Sequence, residues 1–326
     1  MKLSSNFIRA LIGTVLGGLI AHFLMREIKP EDLSNAFKNF SIFWVIVSFL
    51  FYLLSTILRS YRWKIMLLSK SVKLSSLFYV TSIHNLLNQL LPARTGEVSY
   101  VVLLKKTQSV PASEGAATLI LARIIDVLAM GFFFITSICF FWKSVKVPVV
   151  HLLLMTLFIL PLVFFVFVGI FSRKGVQLVS QCFEKMGLMK FKMFQKFSDF
   201  LVRLAADLYQ IKISGRLYKY GLFTLLAWGA KFFAFYAMCM NLSFSAPITF
   251  GETVLGTTFS ELASTLPVYG FAGLGTIEGG WSFGFLLLGF PKNEVILSAF
   301  CFHIFLLSYS AILGIISFFL LKKHEK

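Results

Sequence analysis

The sequence predicts an all-α polytopic membrane protein with about six full transmembrane helices and two re-entrant broken helical hairpins forming inverted repeats. Three observations carry this expectation. Of the 326 residues, 58% are apolar and only 14% charged, against roughly 25% charged in a soluble domain, and mean hydropathy is +0.83. A water-soluble chain of this length has no interior large enough for so much hydrocarbon, 39 phenylalanines included. Six stretches reach the ~20 apolar residues that a bilayer core of ~30 Å requires: about 7–25, 41–59, 114–141, 148–171, 218–240 and 293–321. Two further apolar stretches, 75–104 and 249–290, are broken midway by Pro, Gly and charge.

The N-terminal run, with Lys2 and Arg9, has the look of a signal peptide but no clear small-x-small cleavage site, so it reads as a retained first helix. With a cytoplasmic N-terminus, and both broken stretches leaving on the side they enter, loops 59–73, 105–113 and 172–217 and the C-terminus fall inside. That places 22 of the 31 Lys+Arg residues inside and six outside, with Arg94, Arg123 and Lys231 at membrane depth. The positive-inside rule is obeyed, and the expected location is the cytoplasmic (inner) plasma membrane with both termini cytoplasmic. Segment 172–217 carries Phe194, Phe197, Leu201, Leu204 and Leu208 at helical spacing among Lys190, Lys192, Lys196 and Arg203. It reads as a basic amphipathic helix on the cytoplasmic leaflet, with a solvated linker helix as the alternative. The whole chain, 1–326, is then one integral-membrane domain.

A net charge of +17 would point to nucleic acid in a soluble protein. No nucleic-acid-binding motif is visible, and the basic residues lie between apolar spans, so topology control and anionic lipid explain them better. Cys139, Cys182, Cys239 and Cys301 form no CxxC pair or disulfide framework and read as packing residues.

The two broken stretches repeat one order of features. LLNQLLPARTGEV (86–98) and LASTLPVYGFAGLGTIEGG (262–280) each run from an apolar helix through Leu-Pro and a glycine-bearing turn to a glutamate, Glu97 or Glu278. Pro111-x-x-Glu114 and Pro291-x-x-Glu294 then open long apolar helices, with Arg123 and His303 nine residues on. The repeats span about 75–141 and 249–321. In the topology above they enter from opposite faces, as in alternating-access transporters whose broken helices meet near the midplane. A helix stopped at Pro92 or Pro267 leaves backbone groups unpaired, which membrane depth tolerates only beside protein or a wet cavity.

LPARTGEV, the following helix with Arg123-x-x-Asp126, and LPVYGFAGLGTIEGG together resemble the flippase-like transmembrane family, also called the lysylphosphatidylglycerol synthase transmembrane region, over about residues 7–321. The family includes the membrane half of bacterial multiple peptide resistance factors and stand-alone proteins. The second motif departs from the usual Pro-Gly-Gly-x-Gly form: Pro267 is followed by Val268-Tyr269-Gly270-Phe271-Ala272 before Gly273-x-Gly275. The resemblance implies lipid translocation, of a phospholipid or a phosphate- or sugar-bearing isoprenoid lipid. With no aminoacyl-transferase domain following, it does not imply lysine transfer.

A lipid phosphate crossing the bilayer needs a cation or oriented donors inside the protein. Arg94, beside Gly96 in the first break, supplies a guanidinium fork; its alternative role is a salt bridge to Glu97. Glu97 and Glu278 either cap half-helices or bind protons. Arg123 and Asp126, three apart on one helix face, pair with each other or face the cavity. Lys231 snorkels or faces the cavity, Glu261 lies at membrane depth before the second break, and Asn85 and Asn88 line the path or bond across helices. Arg59, Arg62 and Lys64 (RSYRWK) read as an interfacial anchor with Trp63 in the head-group belt. His84 and His303 read as satisfied helix contacts.

No P-loop, HExxH, Cys/His cluster or GxSxG motif is present, so neither ATP hydrolysis by that route, nor a bound metal or cofactor, nor hydrolase chemistry is expected. The leading expectation is a transporter rather than an enzyme, with membrane lipids of anionic or zwitterionic head group as partners. The alternatives are an integral-membrane transferase on a lipid-linked substrate, with Glu97 as base, and a scaffold whose 172–217 segment recruits a lipid-synthesising enzyme. Self-association into a homo-oligomer is left open.

Overall fold

The computed structural model describes residues 5–26, 31, 40–68, 72–140, 215–242, 244–265 and 269–324, with scattered positions between 181 and 210. The apolar stretch 148–171, most of 172–217, Cys182 and Pro267 lie outside them. Nine long helices are described: α1 Ser5–Met25, α2 Ile42–Met66, α3 Leu74–Leu90, α4 Glu97–Gln108, α5 Ala112–Phe140, α6 Leu217–Cys239, α7 Phe250–Thr265, α8 Thr276–Leu287 and α9 Lys292–His324. Among the described residues, α2, α5, α6 and α9 are long and apolar enough to cross a membrane, and no strand occurs. The protein is an all-α, multi-pass membrane protein. Ile46, Leu50 and Leu54 on α2 and Ile312, Ile315, Ile316 and Phe319 on α9 stand exposed, faces that only lipid satisfies.

The broken stretches are antiparallel hairpins. α3 and α4 are only about 25 and 18 Å long, short of the bilayer core. Pro92 ends the first by forcing Leu91 to an extended conformation (φ −83°, ψ 134°). A 3₁₀ turn, Pro92–Arg94, follows, and Arg94 itself sits in the left-handed region at φ +54°. The chain then folds back: Asn88 Nδ2 donates to Glu97 Oε1 at 3.1 Å, and His84 Nδ1 lies 3.2 Å from Ser99 Oγ. Gly96 rests on the backbone of Leu87 and Asn88, where a Cβ would collide.

α7 and α8 make the second hairpin through three glycines. Gly280 rests on the backbone of Phe259 and Ser260, Gly284 on that of Gly256, and Gly256 beneath the ring of Phe285. Ser260 Oγ donates to the Ile277 carbonyl at 3.2 Å. The turn ahead of α8 needs left-handed backbone at Ala272 (φ +54°), Gly273 (+74°) and Gly275 (+77°). The Glu278 carboxylate accepts the Gly275 N–H at 2.7 Å and so caps α8.

α9, about 50 Å long, is the ruler against which both hairpins can be placed. Its first half packs antiparallel to α8: Trp281 Nε1 donates to Ser298 Oγ at 2.9 Å, and His303 meets Glu278 at 2.7 Å. Its second half packs antiparallel to α3, with Ser310 Oγ donating to Gln89 Oε1 at 2.5 Å and Gly314 against Leu86. The hairpins therefore come from opposite ends of α9, and their tips meet near residues 303–310. At the meeting point Tyr269 Oη donates to the Gln89 carbonyl at 3.1 Å.

α2 and α6 lie antiparallel behind the tips, joined by Ser55 Oγ donating to the Ala227 carbonyl at 2.8 Å and by stacked Tyr61 and Phe223. The core is aromatic: Trp281 packs on Phe285 and Phe302 at centroid distances of 4.4 and 4.2 Å. α1 covers both tips, its Gly13 and Gly17 directly on the backbone of Gly270, Leu274 and Gly275. Cys239 and Cys301 are buried and Cys139 is exposed.

Candidate functional site: a cationic chamber between hairpin tips

A polar chamber opens where the tips meet, walled by α2, α3, α5, α6 and α7 with Tyr269 and Leu306. It holds about 780 Å³ of empty space, its mouth included, within the size range of small-molecule pockets. One stripe of α2 supplies Tyr52, Ser55, Thr56 and Arg59, and α3 supplies Asn85, Asn88 and Gln89. Both sets recur at the three- and four-residue spacing of a single helix face.

Arg94 is the link between the hairpins. Its Nε donates to the Ser264 carbonyl, its Nη2 to Ser264 Oγ at 2.8 Å, and its Nη1 to Glu97 Oε1 at 3.0 Å. The left-handed backbone at Arg94, costly for a residue with a Cβ, aims the side chain across the gap. Glu97 in turn takes Arg123, whose Nη2 donates to Glu97 Oε2 at 2.8 Å. One carboxylate thus serves two guanidinium groups and ties the first hairpin to α5.

Asp126 is buried behind this wall. Its main partner is Arg62, which donates through Nη2 to Oδ2 at 2.9 Å and through Nη1 to Oδ1. Trp228 Nε1 donates to Oδ1 at 2.8 Å, and Arg123 Nη1 is farther, at 3.5 Å. Lys231 faces the chamber and pairs with Glu261 at 2.6 Å, its Nζ 4.8 Å from the centre of the Trp228 ring.

The sequence-predicted residues therefore divide. Arg94, Arg123, Lys231, Glu261, Asn85 and Asn88 line the chamber, and Glu97 braces it. Asp126 and Glu278 do not line it. Glu278 is fully buried, bonded to the Gly275 N–H and to His303 Nδ1, while His303 Nε2–H donates to the Ala272 carbonyl at 2.8 Å. Glu97 with Arg123 and Glu278 with His303 are the same carboxylate–cation pairing in the two halves, at the spacing the sequence repeats.

The interfacial-anchor reading of RSYRWK is corrected by the structure. α2 runs on to Met66, and Arg62 and Trp63 are buried, Trp63 against Tyr100 at 4.1 Å. Lys64 alone of the three basic residues is exposed. Asp126, 64 positions away, neutralises Arg62 and lets it turn inward. Arg59 faces the chamber, its guanidinium 5.7 Å from the Trp228 ring centre. Among the described residues it has no hydrogen-bond or ion-pair partner, and its Nε is buried unpaired. Arg59, Trp228, Ser264 and Tyr269 were missed from sequence; the polar stripe 52, 55, 56, 59 within an apolar helix was the signal for the first.

The family model described as the lysylphosphatidylglycerol synthase TM region matches residues 8–314. No curated protein matches the chain.

Proposed function

The chain belongs to the lysylphosphatidylglycerol synthase TM region family, membrane proteins related to lipid modification or flipping, and on that premise we propose that it is a lipid flippase. A phospholipid or phosphate- or sugar-bearing isoprenoid lipid puts its head group in the chamber while its tails stay in the bilayer. The hairpins act as re-entrant elements dipping from opposite faces, and rocking one half against the other exposes the chamber to each leaflet in turn. The inner-plasma-membrane orientation with cytoplasmic termini belongs to the same proposal, as does the role of segment 172–217 on the cytoplasmic leaflet.

The observation that carries the reading is the meeting of two half-length hairpins, tip to tip, around a charged cavity. Backbone breaks and ionisable side chains at such depth are costly unless they build a pathway. The bonds crossing the gap, Arg94 to Ser264 and Tyr269 to Gln89, are few, polar and reversible. They close this state without locking it, and their opening is the conformational step.

The test is leaflet exchange of fluorescent phospholipids in vesicles containing the purified protein, read by an impermeant quencher. Wild type should exchange lipid above protein-free vesicles without converting it chemically, and Arg94→Ala should lose most of that activity at equal incorporation and retained fold. Exchange unchanged in Arg94→Ala, or conversion of lipid without redistribution, would overturn the proposal.

A further inference from the structure

The chamber is not electrically balanced. Asp126 neutralises Arg62 and Glu261 neutralises Lys231, while Glu97 is shared between Arg94 and Arg123. One positive charge is thus left over at Glu97, and Arg59 adds a second with no carboxylate of its own. Two uncompensated charges walled in by aromatic and aliphatic side chains are unfavourable in an empty site. The arrangement makes physical sense if an anion completes it.

Two buried polar atoms without partners narrow the chemistry. Arg59 Nε is an unused donor and Asn88 Oδ1 an unused acceptor, and the amide of Asn88 is fixed in that sense because its Nδ2 donates to Glu97. A guanidinium fork fits two oxygens of one phosphate. An unpaired carbonyl oxygen calls for an O–H. A phosphomonoester supplies both, with about −1.5 to −2 charge at neutral pH and a hydroxyl in its singly protonated form. A diphosphate supplies the same charge. A phosphodiester carries one charge and no O–H, and a zwitterionic head group adds a cation where two are already in excess.

We infer that the chamber is a site for a doubly charged phosphate group, a phosphomonoester or diphosphate, and that Arg59 is the side chain that holds it. This rests on the flippase reading only in treating the group as the head of a lipid; the charge argument holds for any occupant. Arg94 serves mainly to join the hairpins, since Ser264 and Glu97 already use its donors.

The experiment is heat stabilisation of the full-length protein in detergent, titrated separately with short-chain phosphatidic acid, phosphatidylglycerol, phosphatidylcholine and inorganic diphosphate. Phosphatidic acid should bind at least tenfold more tightly than phosphatidylglycerol, with phosphatidylcholine weaker still. Arg59→Gln should weaken phosphatidic acid binding at least tenfold, and Arg59→Lys, which keeps the charge and loses the fork, by less. Without ligand, Arg59→Gln should be at least as heat-stable as wild type, because no bond is lost and an unpaired charge is removed. Stabilisation by phosphatidic acid alone would assign the site to a lipid head group, and stabilisation by diphosphate as well would assign it to the phosphate itself; either supports the inference. Equal affinity for phosphatidic acid and phosphatidylcholine, or unchanged affinity in Arg59→Gln, overturns it. Binding in the expected order without leaflet exchange would remove the transport reading and leave this one, whereas exchange indifferent to head-group charge would do the reverse.

Discussion

Replacing Asp126 by Asn keeps the shape of the side chain and removes the counter-charge of Arg62, which is 1% exposed. Asp126 accepts from both Arg62 Nη atoms and from Trp228 Nε1. Asn offers one acceptor where two were used and turns an N–H₂ toward a guanidinium. Breaking a buried pair by neutralising one partner costs about 3–5 kcal/mol, a large share of the roughly 5–15 kcal/mol that separates folded from unfolded domains. Removing both charges, in Arg62→Leu with Asp126→Leu, should restore most of that loss. The residue is about 1–3 kcal/mol for the Trp228 N–H left without an acceptor. The assay is a double-mutant cycle on denaturant unfolding in micelles, followed by tryptophan fluorescence, and a coupling of about 2–3 kcal/mol is expected. Asp126→Asn within about 0.5 kcal/mol of wild type would refute the reasoning, because it would mean the pair is solvated.

Two further outcomes follow from the geometry. Gly284→Leu should destabilise by about 3 kcal/mol or more, since the new side chain meets the Gly256 backbone rather than a movable side chain; heat stability and expression check this. Lys231→Glu or Glu261→Lys alone should impair lipid exchange by placing like charges 2.6 Å apart, and the double swap should recover it, as measured in the same vesicles.

The membrane class and the helix breaks were legible because each rests on local chemistry: apolar run length for α2, α5, α6 and α9, and the proline at 92 for the first hairpin. The pairing of Glu97 with Arg123 was foreshadowed by the repeat, which sets Glu278 against His303 at matching positions. What could not be read were partners distant in sequence. Nothing around Arg62 announces Asp126, and nothing around Lys231 announces Glu261, thirty residues away. Without those partners, a cation near the end of an apolar helix reads most naturally as snorkelling to the interface, and for that reason Arg59 and Arg62 were placed at the surface. The bond from Arg94 to Ser264 was equally hidden, because it exists only once two separate hairpins meet.

The central claim, that the chamber communicates with both sides of the membrane, is tested most directly at Asn85. In a chain with Cys139, Cys182, Cys239 and Cys301 replaced, Asn85→Cys is reconstituted in vesicles and exposed to a membrane-impermeant thiol reagent from one face at a time. Modification from either face, in separate experiments, is the predicted result. Modification from one face alone, however long the exposure, would contradict it.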